Sequence, residues 1–473
     1  MTKQHKNSIS RRNFLGTASC AAVGSTTLFS SILNLGLANS LAGMPQAPHQ
    51  DGDYKAMVCI LLAGGNDSFN MLVPRNGEYY SEYATTRSNL ALAQNDLLPL
   101  NFTDQNGKQF GVHPAMPEVQ SLFNNNKLAF VSNVGTLIEP TSKSQYLNKS
   151  VPIPVGLLSH ADQIQQWQTS IPQTRSSKGW GGRMADILQA GNRNQNISMN
   201  ISLSGTNVFQ VGDSATEYAI RAAAGGSVGI NVYEGRSSLD RVLKSGTESL
   251  LAQQYQDIFK STFTDKIKDS QANHEEFSTA IQQATPLRTI FSDNGISANM
   301  ELIAKTIAVR DILGVRRQTF FVNFGGWDHH DEVLNNQVAM LGVVSKALSE
   351  FQAAMEELNL ADDVTTFTMS DFGRTLTSNG NGSDHAWGGN VMVMGGSVNG
   401  GQIFGQYPSL ALNGTDDVGG AIMLPTTSTD EYFAELSRWF GVSQGDLNYV
   451  LPNIGNFYDV SSTDLPIGFM KAG

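Results

Sequence analysis

Three short stretches carry the residue types that bind metals or do acid–base work. The first is Gly64-Gly65-Asn66-Asp67-Ser68, the second Gly325-Gly326-Trp327-Asp328-His329-His330, the third Ser370-Asp371-Phe372-Gly373-Arg374-Thr375. Each places an acid just after an apolar run. A fourth stretch, Asp384-His385-Ala386-Trp387-Gly388-Gly389, adds another imidazole before an apolar run. Carboxylate with imidazole suits zinc, manganese or iron, and accepts calcium or magnesium where oxygen dominates. A lone Asp or His of this kind is most often a turn residue, since Gly, Asn and Asp are ordinary in turns. The recurrence of the same pattern is what points to a metal site. Ser159, followed by His160, stands where a helix is expected to begin. It reads as an N-cap, or as a nucleophile at the positive end of a helix, where an anion is also favoured.

Residues spread over some three hundred positions meet only if a sheet gathers its strand ends on one edge. The apolar runs 56–63, 128–135, 319–324, 364–369 and 391–396 predict buried strands. Between them, Ile164 and Trp167, then Ile296, Met300, Ile303 and Ile307, then Leu341, Val344, Leu348, Phe351, Met355 and Leu358 recur at helical spacing. A further helix is expected at 431–439. Strands alternating with helices predict an α/β protein with a mostly parallel sheet, in which ligands bind beyond the carboxyl ends of the strands. Residues 192–293, rich in Gly, Ser, Gln and Asn with helical stretches near 239–263, are expected to form an insertion or cap. No phosphate-cradling GxxxxGK[ST] loop is present.

The 473 residues carry a formal charge of −11, which argues against a nucleic-acid surface. Ser10-Arg11-Arg12-Asn13-Phe14-Leu15 precedes an uncharged, weakly apolar stretch and then small residues around Ala42. This predicts a twin-arginine secretion signal over 1–42, engagement of the twin-arginine translocase, and a periplasmic or extracellular protein over 43–473. Removal of Lys3, Lys6, Arg11 and Arg12 would take the charge from −11 to −15. No membrane span is expected in the mature chain. Cys20 would leave with the signal, so Cys59 would have no partner for an internal disulfide.

Together, Leu-Ala-Gly-Gly-Asn-Asp (62–67), Ser159-His160 with Trp167, Gly-Gly-Trp-Asp-His-His (325–330), Ser-Asp-Phe-Gly-Arg-Thr (370–375) and Asp-His-Ala-Trp-Gly-Gly (384–389) resemble a bacterial domain-of-unknown-function family, number fifteen hundred and one. That family is similar in turn to the alkaline phosphatase and sulfatase superfamily. The resemblance implies a three-layer α/β/α sandwich of the alkaline-phosphatase kind. It also implies one or two divalent ions (zinc, manganese, magnesium or calcium) held by Asp67, Asp328, His330, Asp371 and His385. Ser159 would be the nucleophile, and His160 a hydrogen-bond donor or acid–base group. Arg374 would bind the anion, although an arginine so placed is as often a structural salt-bridge partner. The substrate would be a small or polymer-linked phosphate or sulfate ester. The chain departs from the superfamily pattern at Phe372, where a metal-binding His is expected, and His329 and Asn66 rival His330 and Asp67. The expected function is therefore an exported metal-dependent ester hydrolase. The alternative is a non-catalytic exported protein of the same fold, with a structural or vestigial metal site.

Overall fold

The computed structural model describes residues 54–227 and 237–471. The expected signal segment lies outside the described residues. The strands, in chain order, are β1 (Lys55–Leu62), β2 (Leu72–Pro74), β3 (Leu98–Thr103), β4 (Gln109–Val112), β5 (Leu128–Gly135), β6 (Asn200–Ser202), β7 (Tyr218–Arg221), β8 (Gly226–Ser227), β9 (Arg317–Asn323), β10 (Val364–Ser370), β11 (Gly389–Met394), β12 (Ile403–Phe404) and β13 (Thr427–Ser428). Ten of them form one sheet in the order β12-β5-β11-β10-β1-β9-β6-β7-β8, with β13 also paired to β5. Strands β10, β1, β9, β6 and β7 run parallel, and β11 runs against both β10 and β5. The expected α/β class with a mostly parallel sheet is the one observed. The small β2-β4-β3 sheet has no counterpart among the predicted strands.

Strand β1 explains why there are three layers. All but Lys55 of its residues are buried, and alternate side chains point to opposite faces. Ala56, Val58, Ile60 and Leu62 enter one apolar core with the helices Gly295–Ala308 and Val333–Glu357. Met57, Cys59 and Leu61 enter another with Trp167, Trp180 and the helix Thr429–Phe440. A strand sheathed on both faces has no polar side, so it reads in sequence as an unbroken apolar run. The Cys59 thiol lies in this second core, where burial pushes its pKa well up; it is inert packing.

The region expected as an insertion is partly sheet. Strand β6 pairs with β9 and extends the sheet to β7 and β8. The remainder includes the helices Ser238–Ala252 and Ile258–Gln282, which stand largely exposed. These edge strands are only two to four residues long, too short to stand out from the polar sequence around them. Among the described residues no helix is long and apolar enough to cross a membrane.

Candidate metal centre

Register decides where the functional loops emerge. Leu62 of β1 lies opposite Ser370 of β10, and Leu61 opposite Asn323 of β9. The three strands end level, so Asp67, Asp328 and Asp371 leave from one edge. His385 reaches that edge from the other direction. Because β11 is antiparallel, its first residue, Gly389, pairs with Val134 near the end of β5. A bridge between Arg374 and His385 then ties the loop after β10 to the loop before β11. His160 opens the helix His160–Thr169, which is anchored in the second core by Trp167.

Gly64 makes the close approach possible. Its φ is +121°, and a Cβ there would lie 2.5 Å from the Asp328 amide nitrogen. Its own N–H donates to Asp371 Oδ1 at 3.0 Å. The turn after β1 thus serves as the floor on which the other two loops rest.

Three imidazoles meet over this floor. His160 Nε2 and His330 Nε2 each lie 3.0 Å from His385 Nε2. Asp328 sits among them, with Oδ1 3.0 Å from His330 Nε2 and 3.3 Å from His385 Nε2, and Oδ2 3.4 Å from His160 Nε2. Each outer nitrogen faces an acceptor. His160 Nδ1 is 2.6 Å from Asp371 Oδ2, His330 Nδ1 is 3.0 Å from Asp384 Oδ1, and His385 Nδ1 is 2.9 Å from the Leu158 carbonyl. An acceptor at Nδ1 puts the proton there and leaves Nε2 as a lone pair. Three lone pairs and a carboxylate then face one another with no proton between them. A cation resolves that repulsion, and carboxylate-held imidazoles are the usual outer shell of a metal site. Ligand atoms of His160, Asp328 and His385 all lie within 4.8 Å of one another, as one metal ion requires. The donor set, three nitrogens and a carboxylate, fits zinc or another borderline first-row ion better than magnesium or calcium.

Phe372, in the place where a His is expected, packs its ring against His160 and His385 with centroids 4.8 and 4.6 Å away. It fixes ring orientation and contributes no ligand.

The electrostatics follow from burial and from Arg374. Burial opposes ionisation of Asp328, but the Arg374 guanidinium, with His160 and His330, outweighs it and holds the carboxyl below its ordinary value. Asp371 is fully buried, and that burial raises its pKa despite donation from Gly64 and His160. His385 is pushed down, first by burial and further by the charges of His160 and Arg374, with the Leu158 carbonyl opposing. A depressed imidazole keeps its lone pair for a metal at neutral pH.

Several expected residues stand elsewhere. Asp67 is buried and paired with Arg87 at 2.5 Å, and it is not in the group of His160, Asp328 and His385 that shares ligand spacing. Ser159 stands at the N-cap of the helix beside His160 without a side-chain capping bond, and Asp162 in the first turn is held low by Arg175, whose Nε lies 2.7 Å from its Oδ1. Arg374 is completely buried and engages the carbonyls of Gly64, Gly65, Trp327 and Ser383 as well as Asp328. With no exposed surface, its guanidinium is not presented to a substrate anion. His329 turns inward and is only 6% exposed. Asp384 and the Leu158 carbonyl, which hold two of the imidazoles, were not among the expected residues; the Asp-His pair at 384–385 was the only signal for the first.

Comparison with known proteins gives one family. A model described as "Protein of unknown function (DUF1501)" matches residues 54–450, and the chain belongs to that family. No curated protein matches. Among solved structures, the chain is similar to Ps i-CgsB in complex with k-i-k-neocarrahexaose, at 10% identity over 86% of this chain and 78% of that one, TM-score 0.34. It is similar to the soluble domain of lipooligosaccharide phosphoethanolamine transferase A from Neisseria meningitidis, at 8% identity over 83% and 90%, TM-score 0.32. It is also similar to the lipoteichoic acid synthase LtaP from Listeria monocytogenes, at 8% identity over 82% and 79%, TM-score 0.31.

Proposed function

We propose that the chain is an exported, metal-dependent hydrolase of phosphate or sulfate esters, with its metal held by His160, Asp328, His330 and His385. The observation that carries this reading is the convergence of three Nε2 lone pairs on a carboxylate that solvent can reach. Asp328 and His330 are each 46% exposed, so a substrate could approach an ion held there. A divalent ion there would supply Lewis acidity to a phosphoryl or sulfuryl oxygen.

The chain's own residues have distinct parts. Asp371, Asp384 and the Leu158 carbonyl keep the three Nδ1 protons in place and so hold the rings in register. Arg374 keeps Asp328 ionised and locks four loop carbonyls around it. Ser159, next to His160 at the mouth of the site, is the candidate nucleophile. Its hydroxyl would have its pKa lowered by a metal ion beside it, as coordination activates nucleophiles. The ester class comes from the family resemblance. With Arg374 buried, charge on the transferred group would be met by the metal. Export through the twin-arginine route, to the periplasm or beyond, accords with the Arg11-Arg12 segment and with a cofactor inserted before transport.

One observation favours a second reading. His160, Asp328 and His385 share ligand spacing, and His330 Nε2 lies 3.0 Å from Asp328 Oδ1; were all four to bind one ion, they would reach the ligand count typical of structural zinc. On that reading the chain binds or assembles at the cell surface without catalysis. Metal analysis followed by a panel of aryl phosphate and sulfate esters separates the two. The hydrolase reading expects bound metal, turnover, and loss of turnover in Ser159→Ala with metal retained. Full metal without turnover of any ester selects the second reading. Less than one metal per chain, with turnover unchanged in Ser159→Ala, defeats the hydrolase reading.

A further inference from the structure

We infer that this chain takes one divalent ion, not two, because the buried guanidinium of Arg87 already supplies the positive charge beside Asp67. The inference rests on the metal-centre reading above and concerns the carboxylate that the family resemblance assigns to a metal. Asp67 Oδ2 accepts from Arg87 Nη2 at 2.5 Å and from Ser383 Oγ at 3.2 Å. Arg87 has no exposed surface. Its Nε donates to Asn70 Oδ1 at 3.1 Å, and its Nη1 to the carbonyls of Thr375 and Leu376 at 3.0 and 3.2 Å. Asn70 Oδ1 is fixed in turn by the Tyr83 hydroxyl at 2.8 Å. The arginine is therefore built into the protein, bound to Asp67 and three further acceptors, and cannot swing aside for a metal. A divalent ion on Asp67 would face a fixed like charge in the protein interior, whereas Asp328, which also meets a buried arginine, is 46% exposed and ringed by three imidazoles.

Around Asp67, Asn66 Oδ1 is buried without a hydrogen-bond partner, but among the described residues no group of three or more carboxylates, imidazoles or thiols at metal-ligand spacing includes Asp67. Asp67 Oδ1 is buried without a hydrogen-bond partner, as a metal ligand would be. The neighbouring candidate, His113, has no lone pair to add. Its Nδ1 accepts from the Ala115 N–H at 3.1 Å, so in the neutral ring the proton sits on Nε2. Burial keeps that ring neutral, its pKa pushed down to about 4. The buried, unpartnered Nε2 is thus a donor, suited to a carboxylate or water and unsuited to a cation. Among the described residues, the His160, Asp328 and His385 group is the one that meets the spacing for a metal.

The test is stoichiometry with a structural probe. The full-length exported protein is dialysed against zinc, freed of excess, and measured by plasma emission and X-ray absorption. The expected result is one zinc per chain, a first shell dominated by imidazole, and no metal–metal vector. Two zinc ions per chain with a metal–metal distance near about 3.5–4 Å would overturn the inference and leave the first site standing. No bound zinc would instead bring down the metal-centre reading itself. Asp67→Asn is expected to retain one zinc with unchanged affinity, and a folded Asp67→Asn protein that loses its zinc would count against the inference. Because that variant leaves Arg87 unpaired and can fail to fold, the wild-type stoichiometry decides on its own.

Discussion

Asp371→Asn isolates the outer shell from the ligands themselves. Asp371 touches the metal centre only through His160, whose Nδ1 lies 2.6 Å from Oδ2. The asparagine amide oxygen can still accept from one of the two donors, Gly64 N–H or His160 Nδ1–H, so the turn after β1 stays closed. What disappears is a full negative charge behind the imidazole, which raises its basicity toward a metal. Removal of such a partner costs about 10–100-fold in metal affinity, or about 1.4–2.7 kcal/mol at 1.36 kcal/mol per tenfold step. The environment puts this variant at the upper end of that range, since Asp371 has no exposed surface and water cannot replace it. Asp384 provides the internal control. It holds His330 through the same kind of contact, 3.0 Å long, but is 58% exposed. Solvent screening limits its worth to about 0–1 kcal/mol, about fivefold at most. Zinc affinity, measured by competition with a chromophoric chelator, is thus expected to fall in the order wild type, Asp384→Asn, Asp371→Asn. Circular dichroism checks that all three remain folded. Equal affinity for wild type and a folded Asp371→Asn would refute the claim that Asp371 tunes a metal through His160. A larger loss for Asp384→Asn would refute the burial argument.

Other outcomes follow from the same geometry. Arg374→Met removes a buried cation and strands four carbonyls and Asp328, so chemical denaturation is expected to show a loss of about 3–5 kcal/mol; Arg374→Lys should not restore it, because one ammonium cannot reach acceptors on so many loops. Gly64→Ala forces a methyl against the Asp328 amide at a φ of +121°, and is expected to lower both thermal stability and metal affinity. Asp430, buried outside the site, has its pKa raised to about 8 by burial, with Ser170, Arg183 and Asn453 pulling against it. A carboxyl raised in the folded state adds stability that is complete below its unfolded pKa near 3.8 and fades as pH rises through about 8. The unfolding free energy of Asp430→Asn should therefore fall less than that of wild type between pH 5 and pH 9, by several kcal/mol at about 1.4 kcal/mol per unit. Parallel pH profiles for the two proteins would refute the buried-acid assignment.

What the sequence makes legible is set by how local the cause is. Each strand that feeds the centre is buried on both faces, so β1, β5, β9, β10 and β11 appear as apolar runs. The double glycine after β1 marks its turn because only glycine accepts the φ values and contact distances at Gly64 and Gly65, and after β9 the requirement falls on Gly326, at a φ of +102°. His160 and His385 lie in recognisable motifs, but their meeting depends on β11 being antiparallel. Nothing in an apolar run states its direction. Reversing β11 would send His385 to the far edge of the sheet and leave the same motif with no chemistry.

The fate of Asp67 turns on a contact that no local pattern announces. It follows its strand much as Asp371 follows β10, and a reading from position alone treats the two alike. The difference is made by Arg87, twenty residues on and at the end of the helix Gly77–Arg87, a helix with few buried residues. Its guanidinium is carried into the protein to meet a carboxylate left by β1 and two carbonyls from the loop after β10. Such a pairing is costly to bury, and it persists because Asp67, Asn70, Thr375 and Leu376 together provide acceptors on several sides. Equivalent strand-end positions can thus hold different electrostatic roles. Both meet a buried arginine, Asp328 with Arg374 and Asp67 with Arg87, but Asp328 is 46% exposed and ringed by three imidazoles, while Asp67 is sealed in with its arginine. A reading of such sites from carboxylates alone overcounts metals, and the correction lies in asking which of them the fold seals in with an arginine.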